Sequence, residues 1–162
     1  LDYLWSPWRY RYLTGQLKKE GCVFCNAAAE NDDEANLIVY RGHSNFIILN
    51  RFPYTSGHLM VVPYAHVSEL GSLDEAGAAE MMLLARRAER RLREVYRPEG
   101  LNIGMNIGES AGAGIAGHIH MHVLPRWHGD SNFMTTIAET RVLPEELSVT
   151  WRRVHDALAA GE

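Results

Sequence analysis

Cysteine occurs only twice in 162 residues, at Cys22 and Cys25, which excludes a disulfide-stapled secreted scaffold. No apolar run approaches the roughly 20 residues that a membrane-spanning helix needs. The opening segment has neither the charged start nor the apolar stretch of a secretory signal, so the expected compartment is the cytoplasm. Long blocks of like charge are also missing: 16 Lys and Arg stand against 20 Asp and Glu, for a formal net charge of -4. That balance argues against a long nucleic-acid footprint or a basic membrane-binding patch, and an anionic ligand must then be met by local donors.

What is present suits one domain spanning residues 1–162, since 46% of the residues are apolar and the length supports one sizeable core. Residues 1–20 read as an aromatic arm carrying Trp5, Trp8, Tyr10 and Tyr12, with Pro7 breaking any regular element. "AAAENDDEAN" is polar and reads as a loop or frayed helix. Strand patterns follow at Leu37–Tyr40, Asn45–Leu49 and His58–Pro63, separated by "RGHS" and "NRFPYTSG". Ser72 and Glu75 have capping-box spacing. From there Met81, Leu84, Ala88, Leu92 and Val95 recur at helical steps until Pro98 forbids continuation. Arg86, Arg90, Arg93 and Arg97 line the other side of this helix and read as a solvated face diluted by Glu80, Glu89 and Glu94, in preference to a phosphate-binding stripe. Two more strands, Leu101–Asn106 and His118–Leu124, flank the Gly-rich loop "IGESAGAGIAG". The tail from Thr135 onward holds a short helix at Glu145–Ala159. The pattern is that of an α+β fold with an antiparallel sheet of about five strands, one long helix and a shorter C-terminal one.

The unusual feature is "GHIHMHVLP", residues 117–125. Alternation in a strand puts His118, His120 and His122 on one face, about 6.5–7 Å apart, and the apolar Ile119, Met121 and Val123 on the buried other. Three imidazoles in a row admit a polar outer face, a metal site, or nucleophilic and acid–base chemistry at phosphorus, because neutral imidazole is a competent nucleophile near pH 7. Cys22 and Cys25 form half of a four-ligand zinc site. A thioredoxin-like redox pair is the alternative, but no strand runs directly into a helix at "GCVFCNAAA". His66 and one of the strand histidines are available to complete a metal tetrahedron. His43, His128 and His155 stand in polar segments and read as solvent-exposed. In the loop from Gly108 to Gly117, Gly112, Gly114 and Gly117 allow the backbone to turn its N–H groups toward an anion.

These residues carry a resemblance. His118–Leu124 meets in full the His-φ-His-φ-His-φ-φ signature (φ, apolar) of the histidine triad (HIT) family, and the similarity extends from "CVFC" through "NRFPYTSGHLMVVPYAHV" to "GHIHMHVLPRW". "ILNRFPYTSGHLMVVP" resembles the fragile-histidine-triad and diadenosine-polyphosphate branch. "LWSPWRY" and "PRWHGDSNFM" resemble bacterial members described as diadenosine tetraphosphate phosphorylases or hydrolases. The resemblance implies an α+β HIT fold, a homodimer, and a nucleotide or dinucleoside polyphosphate substrate, with nucleoside phosphoramidates a second option. A rival of another class is a zinc-stabilised nucleotide-binding module with little turnover.

Residue by residue, the resemblance implies that His120 attacks the α-phosphorus, that His122 hydrogen-bonds the phosphate or leaving-group oxygen, and that His58 orients His120. It places a structural Zn2+ on Cys22, Cys25, His66 and His118. Asn50 stands where family members bind the ribose hydroxyls, and Asn106 where an amide contacts phosphate. The chain departs from the family pattern at "AGAGIAG", where Ala113 and Gly114 replace a usual Gln and Ser or Thr. Arg126 and Arg51 are candidates to compensate for the lost phosphate contacts, though each reads more readily as a surface charge. Trp5, Trp8 and Trp127 are candidates to stack on a second base or to cover an interface.

Overall fold

The computed structural model describes residues 21–130, 143 and 145–160. The aromatic arm with Trp5 and Trp8, and the tail between Ser131 and Val142, lie outside the described residues. In chain order the elements are α1 (Val23–Ala29), α2 (Asp33–Asn36), β1 (Ile38–Arg41), β2 (Asn45–Leu49), β3 (Leu59–Pro63), α3 (Glu75–Tyr96), β4 (Gly100–Gly104), β5 (Met121–Arg126) and α4 (Leu147–Ala159). The "AAAENDDEAN" stretch is therefore more ordered than its polarity suggests: it completes α1 and forms α2, which is capped by the Asp32 carboxylate on the Ala35 N–H at 3.1 Å.

The five strands form one antiparallel sheet in the order β1-β2-β3-β5-β4. β2 and β3 are buried at every position, not at alternate ones, because helices cover both faces. On one face Ile47, Leu49, Leu59, Val61 and Val123 pack against Met81, Leu84, Ala85, Ala88 and Leu92 of α3 and Val154 and Leu158 of α4. On the other face Ile38, Phe46, Ile48, Met60 and Val62 meet Phe24 and Ala27 of α1. A continuous apolar run is what a strand sandwiched between two layers requires.

Helix α3 starts differently from the expected capping box. Its cap is Asp74, whose carboxylate accepts from the Gly77 N–H at 2.6 Å, while Ser72 belongs to a preceding 3-10 turn, Leu70–Ser72. An Asp at this position satisfies an orphan amide and also places negative charge at the positive end of the helix. At the other end Arg97 adopts a left-handed φ of 46° just before Pro98. The expected apolar stripe is buried except at Val95, which is half-buried. The arginine stripe is solvated: Arg86, Arg90, Arg93 and Arg97 are exposed, and Arg93 pairs with Glu89 at 2.6 Å.

Glu80 ties α3 to the β1–β2 turn. Its carboxylate accepts from the His43 N–H at 2.7 Å, the Ser44 N–H at 2.6 Å and Asn45 Nδ2 at 2.9 Å. Burial pushes this carboxyl upward, but the donors from Asn45, His43 and Ser44 outweigh it and hold the group below its ordinary value. Replacing Glu80 with Ala strands three donors at once, so urea unfolding at pH 7 will show a loss of about 1–3 kcal/mol. A carboxyl depressed in the folded state stabilises above its unfolded pKa and loses that effect as pH falls, so the gap between wild type and Glu80→Ala will narrow in acid.

Candidate active site and metal centre

The histidine run enters the sheet later than its pattern implies. Pairing with β3 begins at Met121, opposite Val61, while His118–His120 approach as an irregular segment anchored by the Ile119 N–H on the Val67 carbonyl at 2.8 Å. Alternation still holds: Ile119, Met121 and Val123 join the α3 side of the core. The imidazole face, however, is not a wet one. His118 is 1% exposed and His120 5%, because Phe24 of α1 lies over both rings at centroid distances of 5.4 and 5.1 Å. Both faces of this segment are therefore buried, a correction to the one-sided reading.

Phe24 sits between the two cysteines. Cys22 caps α1 and Cys25 lies within its first turn, so the helical step brings both thiols to one side. His118 Nε2–H donates to the Pro63 carbonyl at 2.9 Å, which leaves Nδ1 as a bare lone pair facing Cys22 Sγ at 3.3 Å and Cys25 Sγ at 3.6 Å. His66 Nδ1 lies 3.3 Å from Cys25 Sγ. The four donor atoms all fall within 4.8 Å of one another. Tetrahedral zinc with bonds of about 2.0–2.3 Å needs donors roughly 3.3–3.8 Å apart, and the carbonyl on the far nitrogen of His118 is the outer-shell contact that orients a metal-ligating imidazole. Donor chemistry, spacing and tautomer thus all fit a closed Cys2His2 centre.

His120 donates its Nδ1–H to the His118 carbonyl at 2.9 Å. A carbonyl only accepts, so the proton is on Nδ1 and Nε2 holds the free lone pair. Burial pushes this imidazole below its ordinary pKa, against the opposing hydrogen bond to His118. The neighbouring His122 ring, 5.0 Å away, carries the opposite tautomer. The Tyr54 N–H donates to His58 Nδ1 at 3.1 Å, so His58 bears its proton on Nε2 and gives it to His122 Nδ1 at 2.9 Å. The proton of His122 is then on Nε2. Burial, followed by the charge of His120, pushes His122 down to about 4. Among the described residues, an imidazole with an unprotonated Nε2 thus stands beside one whose Nε2 carries the proton.

His58 is thus hydrogen-bonded to His122, whereas the resemblance assigns it to orienting His120. The register explains it: Met60 pairs with His122 and Leu59 with Val123, so His58 lies one diagonal step from His122, with His120 beyond it. Asn50 is brought beside His58, with Nδ2 3.4 Å from His58 Nδ1, while its Oδ1 accepts from the Phe52 N–H at 2.9 Å and closes a turn. Asn106 lies two residues past β4 and reaches the Gly-rich loop, where its Nδ2 comes within 4.0 Å of the place a Gly112 Cβ would occupy. Within that loop Gly108 and Gly112 take positive φ, at 83° and 87°, whereas Gly114 and Gly117 do not. Gly117 instead passes close to His66.

Both arginines stand at the surface. Arg126 is held by Asp130 at 2.6 and 2.7 Å and by Asn102 at 2.7 Å, and Arg51 is exposed with its guanidinium 3.5 Å from the Ala35 carbonyl. Trp127 packs edge-on against Tyr96, centroids 6.3 Å apart. Of the three expected solvent-facing histidines, His43 and His128 are exposed and His155 is half-buried, stacked on Trp151 at 4.4 Å. Two contributors escaped the sequence reading. Phe24 was visible only as the filler of a Cys-x-x-Cys spacing, and Tyr54 contributes through its backbone amide, which no residue type announces.

The chain is 42% identical over 159 residues to an AP-4-A phosphorylase of Mycobacterium tuberculosis, covering 94% of this chain and 82% of that one. A Zn-bound histidine triad family protein from Mycobacterium smegmatis superposes with a TM-score of 0.69 at 30% identity, covering 86% of this chain and 94% of that chain. A hypothetical histidine triad nucleotide-binding protein from Sulfolobus tokodaii gives 0.67 at 26% identity, covering 86% and 93%. The model of the HIT domain matches residues 31–129, which contain all three triad histidines, and with this match the chain is a member of the HIT-domain family.

Proposed function

We propose that the protein is a nucleotidyl hydrolase or phosphorylase that cleaves dinucleoside polyphosphates, diadenosine tetraphosphate foremost, through a nucleotidyl-histidine on His120. The observation that carries this reading is the pair of opposite tautomers: a bare Nε2 on His120 beside an N–H-bearing Nε2 on His122. The His120 lone pair forms the bond to the α-phosphorus, and the bond to the bridging oxygen breaks. The leaving polyphosphate keeps that electron pair and takes the hydrogen bond of His122. Water or inorganic phosphate then displaces the nucleotide from His120. The relation to an AP-4-A phosphorylase supports the substrate class. Asn50 is assigned to the ribose, and Asn106 with the Gly108–Gly117 loop, including Gly112, Gly114 and Gly117, to the phosphates.

The same reading gives Cys22, Cys25, His66 and His118 a structural Zn2+. With four protein ligands the centre has no open position for substrate, and its chemistry is to fasten α1, and with it Phe24, onto the triad. A homodimer is part of the proposal. No helix among the described residues is long and apolar enough to cross a membrane.

The function is tested by incubating the protein with diadenosine tetraphosphate, with and without inorganic phosphate, and separating the products. AMP plus ATP identifies hydrolysis and ADP plus ATP phosphorolysis; no cleavage in either case rejects the enzyme. His120→Asn will lose turnover by several orders of magnitude while equilibrium binding of the dinucleotide survives. A nucleotide-binding module without turnover would show no such separation.

Chelation supplies a second test. Stripping zinc will lower the melting temperature and release one ion per chain, and a melt indifferent to chelator rejects the four-ligand assignment. A third concerns His122. Because its folded-state value of about 4 lies below the ordinary histidine value of 6.5, the unfolded chain binds more protons between those limits. The stabilisation is complete above pH 6.5 and is lost as pH falls toward 4, so urea midpoints will drop across that window. In His122→Gln the drop will be shallower.

A further inference from the structure

Beyond the histidines, the turn that carries His58 is packed against the far ends of two helices. Gly57 has a φ of +79°, and a Cβ there would lie 3.0 Å from Tyr96 Cε2 and 3.1 Å from Leu92 Cδ2. The end of α3 thus presses on the backbone immediately before His58. A small cavity on the same side is shared by Ser56, Gly57 and His58 of the turn and by Glu145 and Thr150 at the start of α4.

Tyr96 is not held there by apolar contact alone. Its hydroxyl donates to Glu145 Oε2, which also accepts from Thr150 Oγ1 at 2.8 Å, while Glu145 Oε1 pairs with Arg153 at 2.9 Å. The Glu145 side chain is 12% exposed. Burial, and next the hydrogen bond to Glu145, push the Tyr96 hydroxyl well above the ordinary phenol range, so it remains a donor. One carboxylate therefore gathers α3, α4 and the phenol that backs Gly57.

From Gly57 the chain of contacts runs on to the reacting groups. The turn is clamped by Thr55 Oγ1 on the Pro125 carbonyl at 3.0 Å, by the Asn50 N–H on the His58 carbonyl at 2.9 Å, and by the Tyr54 N–H on His58 Nδ1. We propose that Glu145 is a positioning residue for His122: by seating Tyr96 against Gly57 it fixes the turn around His58, and His58 in turn sets the tautomer of His122. If the phenol swings away, the turn is free to relax, the Tyr54 amide loses its aim, and His58 no longer offers its proton to His122 Nδ1. The inference rests on the reading of His122 as the N–H donor to the leaving oxygen.

The test uses the full chain and reads tautomer and turnover separately. By 15N NMR, wild-type His122 will show the Nε2–H form, and Glu145→Ala will show a mixture of tautomers. In the same variant kcat for diadenosine tetraphosphate will fall about tenfold with KM little changed, the signature of a misaligned reacting group. Glu145→Gln keeps an oxygen acceptor for Tyr96 and will restore both readouts. Tyr96→Phe, which removes a single hydroxyl, will act in the same direction as Glu145→Ala and serves if the latter does not fold. An unchanged His122 tautomer in Glu145→Ala, or in Tyr96→Phe where that serves, overturns the proposal even if turnover falls. A changed tautomer in a protein whose wild type cleaves no dinucleotide leaves the positioning role standing and removes the enzymatic reading instead.

Discussion

Everything at the centre of this molecule depends on groups that offer only one half of a hydrogen bond. A carbonyl oxygen has no proton to give and a peptide N–H has no lone pair to offer, so each imidazole that meets one is forced into a single tautomer. The Pro63 carbonyl does this to His118, the His118 carbonyl to His120, and the Tyr54 amide to His58 and, through it, to His122. Three chemically identical side chains thereby acquire three different free atoms: a thiol-facing Nδ1, a bare Nε2, and a proton-bearing Nε2. What distinguishes them is written in the backbone, not in the residue type.

Burial supplies the second constraint. Imidazoles under an apolar lid pay for charge with lost hydration, which holds His118, His120 and His122 below the ordinary histidine range and keeps them neutral near pH 7. Over His118 and His120 the lid is Phe24, whose place in the chain between Cys22 and Cys25 links the Cys–His cluster to the environment of His120. The cysteine cluster and the triad are thus one assembly with a shared wall.

The supporting sheet shows why its outline was readable before its details. Uninterrupted apolar runs such as "NFIIL" and "LMVVP" announce strands buried on both faces, and the Met81–Leu92 stripe announces the helix that covers one of them. Boundaries were less legible where local rules compete. Ser72 with Glu75 satisfies a capping pattern, but Asp74 is one residue from the helix start and carries charge as well as an acceptor, so it takes the cap. The last strand begins at Met121 instead of His118 because the Ile119 amide finds the Val67 carbonyl before the ladder with β3 starts.

Sequence alone was enough to place three imidazoles at alternate positions, to show two thiols at Cys-x-x-Cys spacing, and to mark the donors His66, Cys22 and Cys25 as candidates for one ion, since periodicity and spacing are local properties. It could not say that His58 addresses His122, that Arg126 is consumed by Asp130 and Asn102, or that Phe24 lies over His118 and His120. Those facts depend on strand register and on which surfaces meet across the sheet, and contacts between residues as far apart as 24 and 120 come into being only when the chain is folded.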